Sequence, residues 1–337
     1  MNGTKRYCVW NNKGGVGKTF LTYILATEYA KANMDVDVVV IDMCPQGNVS
    51  ETLLGGDGAG QDNMEKLYDN SLTIASYIKQ RYFSSPFGKI GNEVSFFIRP
   101  STYNSNLPKN MFLLAGDADL DICSGLINHI ENSMVKGSWL RSRHLLCDLI
   151  TGFLSAQKRE QVFFIDCNPS FSPYTELAIV ASTLLIVPCT ADNASMRGLR
   201  NILKLLYGIP SSDNLYTSFP ERATETNISL PKIHRIVLNK SRSHQENPSK
   251  AFSAHIDELN NLLTTLMSTH PEKFSEDCEK VCNIKDGNTL AAVLNHTGQI
   301  LSETQPRVYS VYGSTVPVNE QQIRALRDDA IAIVSQL

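Results

Sequence analysis

Short runs of consecutive apolar, largely β-branched or aromatic residues recur along this chain. They fall at Tyr7–Trp10, Val36–Ile41, Val94–Ile98, Met111–Leu114, Val162–Ile165, Leu184–Val187, Ile233–Leu238 and Val308–Tyr312. Runs of this length predict strands, and those apolar at every position predict strands covered on both faces, as in a parallel sheet between helices. Thr19–Asn33 is long enough for a crossover helix between the first two, so the chain opens strand, Gly-rich turn, helix, strand. The expected fold class is α/β, a mostly parallel twisted sheet flanked by helices. Residues 55–93, with Gly55-Gly56-Asp57-Gly58 and Ser84-Ser85-Pro86, interrupt this rhythm, as do residues 241–300 with mixed helical patterning. Both stretches read as insertions on one domain spanning 1–337. Near the end, Ile323, Leu326, Ala330, Ile331 and Val334 sit at helical spacing within Gln321–Leu337.

Composition adds mainly exclusions. The 337 residues are 42% hydrophobic and 19% charged, ordinary for a globular chain. A formal net charge of -3 argues against a polycation that coats nucleic acid, though a local basic face stays open. No run of about eighteen apolar residues occurs and the N-terminus has no apolar signal core, so a cytoplasmic location is expected. The eight cysteines are scattered. Cys8, Cys167 and Cys189 lie in or beside predicted strands and read as buried, reduced thiols. Cys278 and Cys282 form a C-x3-C pair in a helix-like stretch, but no second pair or histidine couple completes a zinc set.

The chemistry is concentrated in Asn12–Thr19, N-K-G-G-V-G-K-T, which follows a predicted strand and opens a predicted helix. That is the context of a phosphate-binding P-loop. Glycines let the backbone turn tightly and aim successive N–H groups at phosphate oxygens, and the helix start adds partial positive charge. Lys18 is placed to neutralise β and γ phosphates, and the Thr19 hydroxyl to ligate Mg2+. The general pattern begins with glycine. Here that position is Asn12, followed by a second lysine, Lys13.

In this respect the loop resembles the ParA/MinD family of deviant Walker ATPases, whose loop reads K-G-G-x-G-K-T. The resemblance implies a P-loop NTPase fold, ATP and Mg2+ as ligands, and an ATP-bound homodimer in which Lys13 reaches the partner's nucleotide. Lys13, Gly14, Gly15, Val16, Gly17, Lys18, Thr19 and Phe20 are then the nucleotide-binding residues. Val38–Asn48 resembles the family's second motif, an apolar strand followed by D-x-D-P-Q-G-N. Asp42 matches the first acid, but Cys44 stands where the family has the acid that positions the attacking water. Losing one such group commonly costs about 10²–10⁴ in rate. Three readings stay open: slow hydrolysis and a long-lived ATP state, another group that positions the water, or an introduced substitution that traps ATP.

Val162–Ser170 resembles the Walker B strand, with Asp166 at its carboxyl end as a metal-shell acid. Leu184–Pro188 followed by Arg197-Gly198-Leu199 resembles the next strand and helix. Asn239, ending Ile236–Asn239, matches the residue that meets the adenine amino group, and Pro317 and Asn319 match a loop beside the base. The resemblance covers the sheet; residues 55–93 and 241–300 match no family feature.

Two function classes follow. One is a plasmid or chromosome partition ATPase of the small type, since the P-loop begins by residue 12. It would bind DNA non-specifically, with Arg141, Arg143, Arg324 and Arg327 as candidates. The other is an ATP-gated regulator, for example in a defence system, acting on a protein partner without DNA. A MinD-like membrane mode needs a basic amphipathic tail. The tail here carries both charge signs, so a helix docked on the core is expected instead.

Overall fold

The computed structural model describes residues 3–190, 192–209, 218–241 and 250–337. Its main sheet is built from β1 (Arg6–Val9), β2 (Asp37–Met43), β3 (Met111–Leu114), β4 (Gln161–Cys167), β5 (Leu184–Cys189), β6 (Lys232–Ser241) and β7 (Cys282–Lys285). The strand order is β3-β2-β4-β1-β5-β6-β7, and every neighbouring pair runs parallel. The apolar runs make this possible. Side chains alternate across a strand, so Val38 and Val40 enter one core with Tyr7, Val9, Val162 and Phe164, while Val39 and Ile41 enter the other with Cys8, Phe163 and Ile165. Both faces are therefore covered by helices, including Lys18–Ala32, which supplies Leu21, Ile24 and Leu25 to the first core.

Two of the expected strands differ. Val94–Ile98 is not a strand of the sheet: Glu93–Phe96 forms a short 3-10 turn, and only Ile98 bridges a neighbour, Leu113. The consecutive rings of Phe96 and Phe97 are both buried, which alternation in a strand does not allow on one face. The run near Val308 is a strand, β8 (Arg307–Val311), but it pairs antiparallel with β9 (Ser314–Val318) outside the main sheet. Tyr309 and Val311 point inward while Val308 and Ser310 are exposed, the half-buried alternation of a hairpin.

The stretches read as insertions take definite positions. The first contributes helices Ala59–Asp69 and Ile74–Ser84. The second contributes helix Lys250–Thr269, the unforeseen edge strand β7 and helix Asn288–Thr297. Cys278 and Cys282 are not on a helix: Cys278 lies in a turn and Cys282 begins β7. The tail helix Glu320–Val334 buries Ile323, Leu326, Ala330, Ile333 and Val334 and packs on Lys18–Ala32. Ile331, expected on the buried face, is instead exposed. Among the described residues, no helix is long and apolar enough to cross a membrane.

Candidate functional site

The carboxyl ends of β1, β2 and β4 converge, as the parallel register requires: Val9 and Asp42 both lie opposite Asp166. Strand ends of an open α/β sheet are where ligands gather. After β1 the chain turns through Asn11–Gly17 into helix Lys18–Ala32. Gly15 and Gly17 adopt left-handed backbone angles, φ 73° and 79°. At Gly17 a Cβ would also fall 2.0 Å from the Asn239 amide nitrogen, so glycine is required there twice over.

The Lys18 ammonium turns back over the loop and donates to the carbonyls of Asn11 (3.1 Å) and Lys13 (2.9 Å). Burial pulls its pKa down, and Asp166 opposes that shift. Thr19 Oγ1 donates to Asp166 Oδ2 at 2.8 Å, and Thr22 Oγ1 donates to Asp166 Oδ1 at 3.2 Å. Asp166 is fully buried; desolvation and then the neighbouring Asp42 push its pKa up. An acid in this state binds a proton or a cation readily.

Asp42 is equally buried, and both its oxygens are engaged. Oδ2 accepts from Ser50 Oγ (2.7 Å) and Ser50 N (3.1 Å), and Oδ1 accepts from Cys44 N (3.0 Å). It pins the Cys44 turn and helix Asn48–Leu53 to the end of β2. Cys44 itself reaches the cleft, and burial, then the charge of Asp42, pushes its thiol up to about 12. At neutral pH it is a neutral thiol, and so cannot act as a base.

Gly15, Gly17, Lys18, Thr19, Phe20, Cys44 and Asn168 line one cavity of about 550 Å³. The same cavity is lined by Asn48, which ends the second motif, and by residues that no motif marked: Glu51 and Thr52 from the same short helix, Asp57, Asn295 and Tyr312. Asp57 Oδ2 lies 3.2 Å from His296 Nδ1. The i, i+3 spacing of Asn48 and Glu51 puts them on one face of a helix that begins at the end of the second motif, but nothing in that spacing marks the face as lining a cavity.

The remaining expected residues lie elsewhere. Gly14 and Val16 belong to the loop, but Val16 is buried beneath it. Lys13 Nζ is held within its own chain by Asp192 Oδ2 (2.5 Å) and Thr190 Oγ1 (2.8 Å). Asn239 lies under the loop, its amide donating to Val16 O at 3.0 Å. Pro317 is in β9, opposite Val308. Asn319 caps helix Glu320–Val334 in a reciprocal capping box with Gln322. Neither Pro317, Asn319 nor Asn239 lines the cavity.

Of the arginines considered for DNA, Arg143 is buried between Glu131 (2.8 Å) and Glu176 (2.5 Å), so it offers no charge to a backbone phosphate. Arg324 is exposed and lies 3.7 Å from Asp328. Arg141 sits over the Phe87 ring.

Residues 4–216 match a family model described as an AAA domain. The chain belongs to that family. Within it, the chain is of the ParA type, with a P-loop at the end of β1. A ParA family protein of Mycoplasma pneumoniae is 26% identical over 254 residues, 74% of this chain and 81% of that protein. A related ParA family protein of Mycoplasma genitalium is 24% identical over 252 residues, 74% of this chain and 81% of its own length. The ParA-type fold extends to solved structures. McdA from Cyanothece superposes with a TM-score of 0.57 at 15% identity, covering 97% of this chain and 99% of its own. A Borrelia burgdorferi protein assigned to plasmid partition, solved with AMPPNP bound, gives a TM-score of 0.54 at 17% identity, covering 99% and 100%.

Proposed function

We propose that this ParA-type chain is an ATP-dependent dimerisation switch that hydrolyses ATP slowly and serves in DNA partition. The observation that carries the proposal is the cradle after β1. Lys18 rests on loop carbonyls that a phosphate would replace, and Thr19 is joined to a buried acid at 2.8 Å. A hydroxyl beside a carboxylate is the oxygen set that a hard divalent cation prefers. Thr19 would hold Mg2+ directly and Asp166 through its water shell; the ion would supply charge neutralisation on the β and γ phosphates. The backbone N–H groups of Gly14–Thr19 would then orient the triphosphate and Lys18 would offset its charge.

Asp42 acts on this reading as an anchor for the Cys44 turn as well as an outer acid. Its oxygens are already engaged by Ser50 and Cys44 N. The neutral Cys44 thiol cannot itself polarise the attacking water as a carboxylate would, so turnover is slow unless another carboxylate reaches that water.

Oligomeric state by light scattering tests the switch. A dimer with a slowly hydrolysed ATP analogue and a monomer with ADP are expected, both with magnesium. Monomers under both conditions would overturn it. DNA retention separates two branches. The partition reading expects ATP-dependent retention on non-specific DNA at low salt, lost as salt rises. The burial of Arg143 between two glutamates favours the second branch, a protein partner read by the ATP-bound dimer. Absence of retention at low salt would select it.

A further inference from the structure

The cavity contains a carboxylate that no motif accounts for. Helix Asn48–Leu53 turns Val49, Ser50 and Leu53 into the protein and Asn48, Glu51 and Thr52 toward the cavity. Ser50 is clamped by Asp42, which fixes the rotation of the helix. The Glu51 backbone is held as well. Its carbonyl accepts from Gly56 N at 3.0 Å, and Gly60 packs so close that a Cβ there would lie 2.1 Å from the Glu51 oxygen. The first inserted stretch therefore presses on Glu51 from behind.

The other acids near the loop are committed. Asp166 receives Thr19 and Thr22, and Asp42 receives Ser50 and Cys44 N. Asp57, the only other carboxylate on the cavity wall among the described residues, faces His296 at 3.2 Å. The Glu51 side chain has no hydrogen-bond or ion-pair partner among the described residues. It is thus an open acceptor in the cavity that also holds Lys18, Thr19 and Cys44.

We infer that Glu51 is the catalytic carboxylate that positions the attacking water, in place of the acid missing at Cys44. This rests on the reading of the cavity as an ATP site. Glu51 accepts a hydrogen bond from the water. The water oxygen forms the new bond to the γ phosphorus, and the bond from that phosphorus to the bridging oxygen breaks, its electron pair leaving with ADP. The water proton passes to the Glu51 carboxylate and from there to solvent. Glu51, seven residues beyond Cys44 on the helix after β2, then takes over a task that the resemblance assigns to a residue in the β2 turn.

The experiment compares wild type, Glu51→Gln and the Glu51→Gln/Cys44→Asp double variant in single-turnover ATP hydrolysis over a magnesium titration that reaches saturation. Fluorescent-nucleotide affinity is measured in parallel. Glu51→Gln is expected to slow the chemical step by about 10²-fold or more, with nucleotide affinity changed by less than about threefold. Cys44→Asp introduced into Glu51→Gln is expected to restore hydrolysis in part, which a merely structural role for Glu51 would not permit. Wild-type rates in Glu51→Gln overturn the proposal. So does a defect that disappears as magnesium is raised, because Glu51 would then be a metal-shell residue. Intact nucleotide binding with no wild-type hydrolysis overturns the proposal alone. Absence of nucleotide binding by the wild type overturns the ATP-site reading as well.

Discussion

Lys13 illustrates how far one residue can be read and where the reading stops. The family resemblance implies that it reaches across a dimer interface, yet its ammonium is held by Asp192 and Thr190 of the same chain. Asp192 also caps helix Asn193–Tyr207 through Ser195 N. Any role in trans must therefore break this contact. The pair is partly exposed, so it contributes at most about 1 kcal/mol, and its release favours dimerisation up to about fivefold. Asp192→Asn keeps the cap, since asparagine caps equally well, while removing the charge. It is expected to dimerise at a severalfold lower ATP-analogue concentration in sedimentation velocity. An unchanged midpoint would mean that the contact does not restrain Lys13.

At the scale of elements, legibility tracked whether local pattern and burial coincide. Strands apolar at every position, such as Val38–Ile41 and Val162–Ile165, were legible because both faces are covered and nothing competes with the pattern. The loop was legible because its glycines, lysine and threonine are contiguous. Val94–Ile98 was misread because a short apolar run does not distinguish a strand from a turn that buries two adjacent rings. Strand β7 was missed because Cys282–Lys285 is only partly buried and polar, as an edge strand can be. Glu51 was not legible as a cavity residue, since only the packing of two sequence-distant stretches builds the wall around it.

Asn319 belongs at the same scale. The resemblance places it beside the base, and the structure gives it a capping box. Asn319→Ala should therefore lower stability by about 1 kcal/mol in denaturant unfolding. Nucleotide affinity should barely move if capping is its main task. A large loss of affinity without loss of stability would restore the base-contact role.

For the whole molecule, acid sensitivity has an identifiable source. His234 is buried in β6, with Nδ1 2.9 Å from Ser275 Oγ and Nε2 without a partner. Burial, then the adjacent Arg235, drives its pKa down to about 4. Unfolded, it would titrate near the usual value of about 6.5. The unfolded state therefore binds the proton first, and the stabilisation present above pH 6.5 declines as pH falls toward 4. Denaturant midpoints measured from pH 7 to pH 4.5 should fall more steeply for wild type than for His234→Gln. Parallel slopes would assign the acid sensitivity to other groups.

The close approach of Asn239 to Gly17 has an evolutionary corollary. The amide at the end of β6 occupies the volume that any side chain at position 17 would need. These two sites, more than two hundred residues apart in the chain, cannot drift independently. A descendant that lengthened the first would have to shorten the second in the same lineage. Sequence comparison should find the pair substituted together or not at all.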